Sequence, residues 1–144
     1  MRRALISALL VLSGACGKPS NPAPDVNVRG DYYAMMYQGA RLSKPGLTLQ
    51  ILSESVTTVL DSAELQGIDK TYAGWQMLAS GGNVTSVTRT VLGSEAFGDT
   101  VIRDHGRIVF SRTGMKDTTM VFVSRWRSEK AGWKLYHDSV RANQ

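Results

Sequence analysis

Two carboxylate–imidazole neighbours stand in the sequence: Asp104-His105 in "VIRDHGRIV" and His137-Asp138 in "LYHDSV". Histidine titrates near neutrality, and a carboxylate can orient it or act as a base itself, so either pair holds the material of general acid–base chemistry. Both lie in Val-, Ile- and Thr-rich stretches that read as strands, where successive side chains leave opposite faces. The two members of each pair therefore point apart, and a working dyad requires a bulge. In 133–140, Trp133, Leu135 and His137 share one face, and Lys134, Tyr136 and Asp138 the other. The first face is the more apolar, which sends His137 inward. In 116–128, Met120, Phe122, Ser124 and Trp126 share a face. In 100–114, Ile102, Asp104, Ile108 and Phe110 do, provided Gly106 keeps the phase.

These faces give the candidates. Asp104 in an apolar pocket would have a raised pKa and serve as a general base. His137 is a second catalytic candidate. Tyr33 or Tyr37, from an N-terminal helix, could donate to a developing oxyanion. Trp75, Phe110, Ser124, Trp126 and His137 form the candidate ligand-binding set. Each also has a plainer reading. Trp75 and Trp126 serve equally as core, Asp104 as a solvated strand carboxylate, and His137 as a hydrogen-bonded strand end.

Other chemistries are set aside. Two distant histidines and one cysteine give no zinc spacing, so no metal is expected. Neither common phosphate-binding glycine loop occurs, and no cofactor is expected. No serine sits in a nucleophile elbow.

The elements that must position these residues follow along the chain. Tyr32, Met35, Met36, Gly39 and Ala40 recur at helical spacing, with Asp31 as the expected cap. Lys44-Pro45-Gly46 ends that helix. "LTLQILSES" fits a short helix or a strand, and "VTTVL", 56–60, reads as a strand. Ile68, Thr71, Tyr72, Trp75, Leu78 and Ala79 mark a second helix, opened by Gly67 and stopped by Gly81-Gly82. Stretches 84–97, 100–114, 116–128 and 133–140 then read as long strands parted by turns, with a bulge or bend expected at Gly106. Helices followed by a run of strands indicate α+β, one curved antiparallel sheet with helices on one face.

The front of the chain is not fold. "MRRALISALLVLSGAC" has two arginines, an apolar run too short to span a bilayer as a helix, and small residues before Cys16. Residues 1–15 are thus read as a signal peptide. Ser13-Gly14-Ala15-Cys16 resembles a bacterial lipobox, although Ser13 stands where leucine is preferred. Ser13 and Ala15 also suit ordinary signal peptidase, and both routes cut before Cys16. Cys16 is the only cysteine and has no disulfide partner within the chain. Lipidation explains its place and predicts a membrane-anchored protein of the bacterial cell envelope, on the periplasmic side. Residues 16–27, with "GKPSNPAPD", read as a Pro-rich tether, able to reach about 30 Å if extended.

Residues 28–144 suit one domain. The formal charge of +5 falls to +3 once Arg2 and Arg3 are set aside. The other cations are scattered, so no nucleic-acid arm is present.

The order of elements, with "DTVIRDHGRIVFS" and the ending "SRWRSEKAGWKLYHDS", resembles the nuclear transport factor 2-like superfamily in its SnoaL-like bacterial branch, over residues 28–141. The resemblance implies a cone: a bent sheet wrapped around helices, enclosing a pocket. It also implies a homodimer through the outer sheet face, where Arg125, Arg127 and Tyr136 are expected. The superfamily hosts isomerases, dehydratases, cyclases, hydrolases and noncatalytic binders, so fold alone decides little. Ketosteroid-isomerase relatives use a tyrosine and aspartates, whereas Ser124 stands here where an acid is sought. The expected function is a membrane-tethered domain binding a small apolar ligand or a partner. The alternative is a cofactor-independent lyase or isomerase.

Overall fold

The computed structural model describes residues 22–81 and 83–143. The signal segment, Cys16 and most of the tether lie outside the described residues.

Helix α1 spans Val26–Arg41. Its cap is Asp25, not Asp31: the Asp25 carboxylate accepts from the backbone N–H of Asn27 at 2.8 Å and of Val28 at 3.0 Å. Two donors that a helix start leaves unpaired are thereby satisfied. The first turn, Val26 to Val28, is exposed, so helical periodicity begins only at Arg29. The face that enters the core is Arg29, Tyr33, Met36, Tyr37 and Ala40, with Tyr32 and Met35 at its half-buried flank. "LTLQILSES" resolves both ways. A short helix, α2, runs over Pro45–Leu49, and strand β1 over Leu52–Leu60. A four-residue edge strand, β2 (Ala63–Gln66), pairs back on β1. It is too short and too exposed to carry a readable alternation. Gly67, at φ 87°, then makes the turn into helix α3 (Ile68–Ser80) and donates its N–H to the Val56 carbonyl at 2.8 Å.

Four strands complete the chain: β3 (Val84–Phe97), β4 (Val101–Arg112), β5 (Thr118–Glu129) and β6 (Gly132–Ala142). The sheet order is β2-β1-β6-β5-β4-β3. The expected antiparallel sheet is a mixed one, because β1 and β6 pair in parallel. Helix α3 carries the chain from the β1 edge to the β3 edge, and the returning meander delivers β6 beside β1 in the same direction. The sheet is open, and α1 and α3 fill its concave side, giving the α+β cone.

Of the register shifts in the sheet, those at Leu92 and Tyr136 set the phases of the strands that carry the candidates. Opposite β4, Leu92 is the extra residue of β3, since Val91 pairs with Gly106 and Gly93 with His105. The irregularity expected at Gly106 thus lies on the neighbouring strand. Gly106 keeps the β4 phase, and a Cβ there would overlap the Thr90 carbonyl and the Phe122 ring. Opposite β5, Tyr136 is the extra residue of β6, since Trp126 pairs with Leu135 and Arg125 with His137. A one-residue insertion moves every later side chain to the other face.

Candidate functional site

Two arginine–aspartate pairs occupy the interior of the cone. Arg29, from the first turns of α1, meets Asp104 of β4 with both prongs: Nε to Oδ2 at 2.8 Å and Nη2 to Oδ1 at 2.8 Å. That forked geometry is the strongest an arginine makes with a carboxylate. Arg29 also donates to Ser94 Oγ at 2.7 Å and to the Pro24 carbonyl. The Tyr33 hydroxyl donates to Asp104 Oδ2 at 3.0 Å and accepts from Trp126 Nε1 at 2.7 Å.

The second pair joins Arg89 of β3 to Asp138 of β6, with Nη2 at 2.5 Å from Oδ1 and Nη1 at 3.3 Å from Oδ2. Ser124 of β5 donates to Asp138 Oδ1 at 2.5 Å and itself accepts from Arg89. The Arg89 guanidinium lies 4.0 Å from the Tyr33 ring centroid and 3.8 Å from that of Phe122. A desolvated cation so placed gains from both ring faces. Tyr33 therefore touches both clusters, the first by hydrogen bonds and the second by its ring.

The electrostatics follow from the pairing. Burial alone would raise the pKa of Asp104, but its hydrogen bonds from Arg29, Ser94 and Tyr33, with the Arg29 charge, hold it below the carboxylate range. The rise expected for a pocket general base is thus reversed. Burial raises the Tyr33 and Tyr37 hydroxyls above the usual tyrosine range, although the Arg89 charge opposes it. Burial works against the Arg89 cation too, but the Asp138 charge and hydrogen bond, together with Tyr37 and Tyr33, outweigh it. Near neutrality Asp104 stays ionised and both tyrosines stay protonated.

Six of the candidates share this interior. Tyr33, Trp75, Phe110, Asp104, Ser124 and Trp126 are all buried. Trp75 stacks edge-on against Tyr37 at 5.0 Å, and Tyr37 reaches Phe110 at 6.3 Å. No exposed surface remains on Asp104 or Asp138. His137 does not join them. Tyr136 shifts the phase, so Asp138 enters the core and His137 stands on the outer face opposite Arg125. Burial, then the Arg125 charge, lowers the His137 pKa.

Sequence reasoning missed Arg29, Arg89 and Asp138. Arg89 left a signal, for it alternates with Val87 and Val91 on the inward face of a Val- and Thr-rich strand. Four buried polar atoms find no partner among the described residues: Tyr37 Oη, Trp75 Nε1, Arg89 Nε and Arg103 Nε.

Solved structures share this architecture. A nuclear transport factor 2-like protein of unknown function from Shewanella oneidensis superposes with a TM-score of 0.62 at 14% identity, covering 77% of this chain and 93% of its own. A nuclear transport factor 2-like superfamily protein from Salmonella enterica gives 0.63 at 12%, covering 82% and 90%. A nuclear transport factor 2-like protein from Cytophaga hutchinsonii gives 0.64 at 10%, covering 84% and 100%. At such identities the likeness is one of fold, and the chain has the nuclear transport factor 2-like fold. No family model matches the chain, and no curated protein matches its sequence.

Proposed function

We propose that this chain is an exported, lipid-tethered domain without catalysis, which acts by binding a partner at its outer surface. One observation carries the reading: both interior carboxylates, Asp104 and Asp138, are fully buried and each is neutralised by a forked arginine. A general base must present a lone pair to a substrate. Here those lone pairs are committed to Arg29, Tyr33, Arg89 and Ser124. A small apolar ligand in the cone would have to displace Trp75, Trp126 or Phe110, which already fill it. Tethering rests on the lipobox-like "SGAC" and the Pro-rich segment after it, and the SnoaL-like branch on the terminal "RWRSEKAGWKLYHDS" motif.

The lyase or isomerase alternative draws on the Trp126–Tyr33–Asp104 hydrogen-bond chain, which has the parts of an oxyanion hole. In that chain both donor hydrogens are already spent, Trp126 Nε1–H on Tyr33 and Tyr33 O–H on Asp104, so none is free for an oxyanion.

Two measurements test the reading. Labelled fatty acid should enter the wild-type protein and not the Cys16→Ser variant; its absence from wild type refutes the tether. Native mass spectrometry of the purified protein should give the mass of the chain with no small organic molecule retained. A stoichiometric co-purifying ligand would restore the pocket reading.

A further inference from the structure

On the outer face of the sheet, strand register sets Glu95, Arg103, Arg125 and His137 in one cross-strand row. Like charges directly opposite on neighbouring strands repel, and Arg103 stands opposite Arg125. Glu95 lies 3.5 Å from Arg103. Arg125 is exposed and forms no ion pair among the described residues. The two arginines of the row floor an open groove of about 430 Å³, lined also by Phe97, Val101 and Tyr136. The bulge at Tyr136 keeps both that ring and His137 on this face. Two arginines held side by side on a rigid sheet, between apolar walls, make a preorganised seat for an anionic group attached to apolar matter.

The tether reaches the domain at the same end of the sheet. Pro22 and Ala23 share a second groove with Ala96, Gly98 and Asp99 of the β3–β4 turn. Phe97, in that turn's first strand, lines the arginine groove and is 54% exposed. We propose that the groove docks on the phosphates of anionic phospholipid headgroups, with Arg103 and Arg125 holding phosphate and Phe97 entering the interfacial layer. The proposal deepens the tethered-domain reading and rests on it, since that reading puts a membrane within reach of this rim. The same face is the one on which the homodimer was expected. A two-fold pairing centred there would bring the arginines of one copy against those of the other, which favours an anionic occupant over a second copy.

The test uses the exported chain carrying Cys16→Ser, so that no lipid holds it to a bilayer. It should float with vesicles of equal parts phosphatidylcholine and phosphatidylglycerol, stay behind with pure phosphatidylcholine, and be released by molar salt. Arg103→Gln with Arg125→Gln should lower partitioning about thirty-fold, and Arg125→Gln alone about five-fold. Arg125→Gln should melt at or above the wild-type temperature, because a like-charge contact is gone, whereas the double variant also loses the exposed Glu95–Arg103 contact and should melt within about a degree of wild type. A fall in melting temperature without a loss of binding assigns the arginines a structural role and overturns the proposal. So does equal binding to neutral vesicles. Equally tight binding to polyglutamate would assign the groove to an acidic protein. Abolition of flotation by inorganic phosphate, but not by chloride of matched ionic strength, would assign it to free phosphate. A dimer in sedimentation that excludes vesicles would assign it to a second copy. Each of these three results overturns the membrane occupant. The tether is judged separately. If wild type takes up labelled fatty acid while the Cys16→Ser chain never floats, the groove proposal fails and the anchor stands. If the Cys16→Ser chain floats and wild type takes up no label, the reverse holds.

Discussion

The hydroxyl of Ser124 and the carboxylate of Asp138 meet at 2.5 Å across the β5–β6 pair because β6 holds one residue more than β5 at Tyr136. In a regular strand that kept Tyr136 in the ladder, alternation would place His137 at the inward position and Asp138 outside. The extra residue thus decides which titratable group the core must accommodate. It accommodates a carboxylate, held by Arg89 and Ser124, and the Arg89 guanidinium is in turn covered by the Tyr33 and Phe122 rings. A buried ion pair of this kind gives little net stability over an apolar equivalent, but breaking it is costly.

That asymmetry gives the first prediction. Arg89→Leu leaves Asp138 buried without its cation and should lower unfolding free energy by about 3–5 kcal/mol. Arg89→Leu combined with Asp138→Leu should recover most of the loss. Urea denaturation of the two single variants and the double variant measures the coupling. A double variant no more stable than Arg89→Leu would show that the pair does not act as a unit.

Most of the frame was legible because it follows from backbone-level regularities. The expected strand 84–97 matches β3, and the inward sets on β4 and β5 fall where alternation puts them. The bulge at Tyr136 was not legible. Around it, Trp133, Lys134, Tyr136 and His137 are all half-buried, so neither face carries a clean hydropathy contrast to betray a phase change. Arg29 and Arg89 were missed for another reason. A charged residue reads as solvated until its partner is known, and these partners lie 75 and 49 residues away. The site is therefore a long-range property of the fold, whereas the strands that hold it are local ones.

Asp104 supplies a pH prediction. Its folded-state pKa is lowered, burial being outweighed by Arg29, Ser94 and Tyr33. A depressed acid contributes stability that is complete above the unfolded value of about 3.9 and is lost as pH falls through the folded value. Thermal melting should thus be flat in this respect near neutrality and fall steeply below about pH 4. Asp104→Asn should shed part of the acid slope and be less stable at neutral pH, where Arg29 loses its counter-charge. An acid limb unchanged in Asp104→Asn would contradict the assignment.

Trp126 separates a filled core from a pocket. It is fully buried, packs edge-on to Tyr33 at 5.4 Å and donates to the Tyr33 hydroxyl. Trp126→Ala should cost about 3–5 kcal/mol, read from guanidinium unfolding followed by circular dichroism. A loss below about 1 kcal/mol would match a ring lining open space rather than one inside a close-packed interior.

His137 reports on the outer face. Burial, then Arg125, lowers its pKa. A histidine so shifted contributes stability that is complete above the unfolded value of about 6.5 and lost as pH falls through the lower folded value. In an NMR titration the His137 ring should titrate below that value. Arg125→Gln should move its midpoint upward. A midpoint indifferent to Arg125→Gln would place the two side chains farther apart than the cross-strand register does.

Deletion of Tyr136 tests whether that residue is the unpaired one of the β6 bulge. With it gone, Leu135 still falls opposite Trp126, His137 follows opposite Arg125 and Asp138 opposite Ser124. The ladder becomes regular and every face is kept, so Asp138 stays beside Arg89 and His137 stays outside. The deletion variant should therefore still melt cooperatively, at a modest loss from the changed local bend. Its His137 resonance should still respond to Arg125→Gln. If the deletion abolished cooperative melting, residues after Leu135 would be changing face, which would place Tyr136 inside the ladder and remove the reason for setting Asp138 inside and His137 outside.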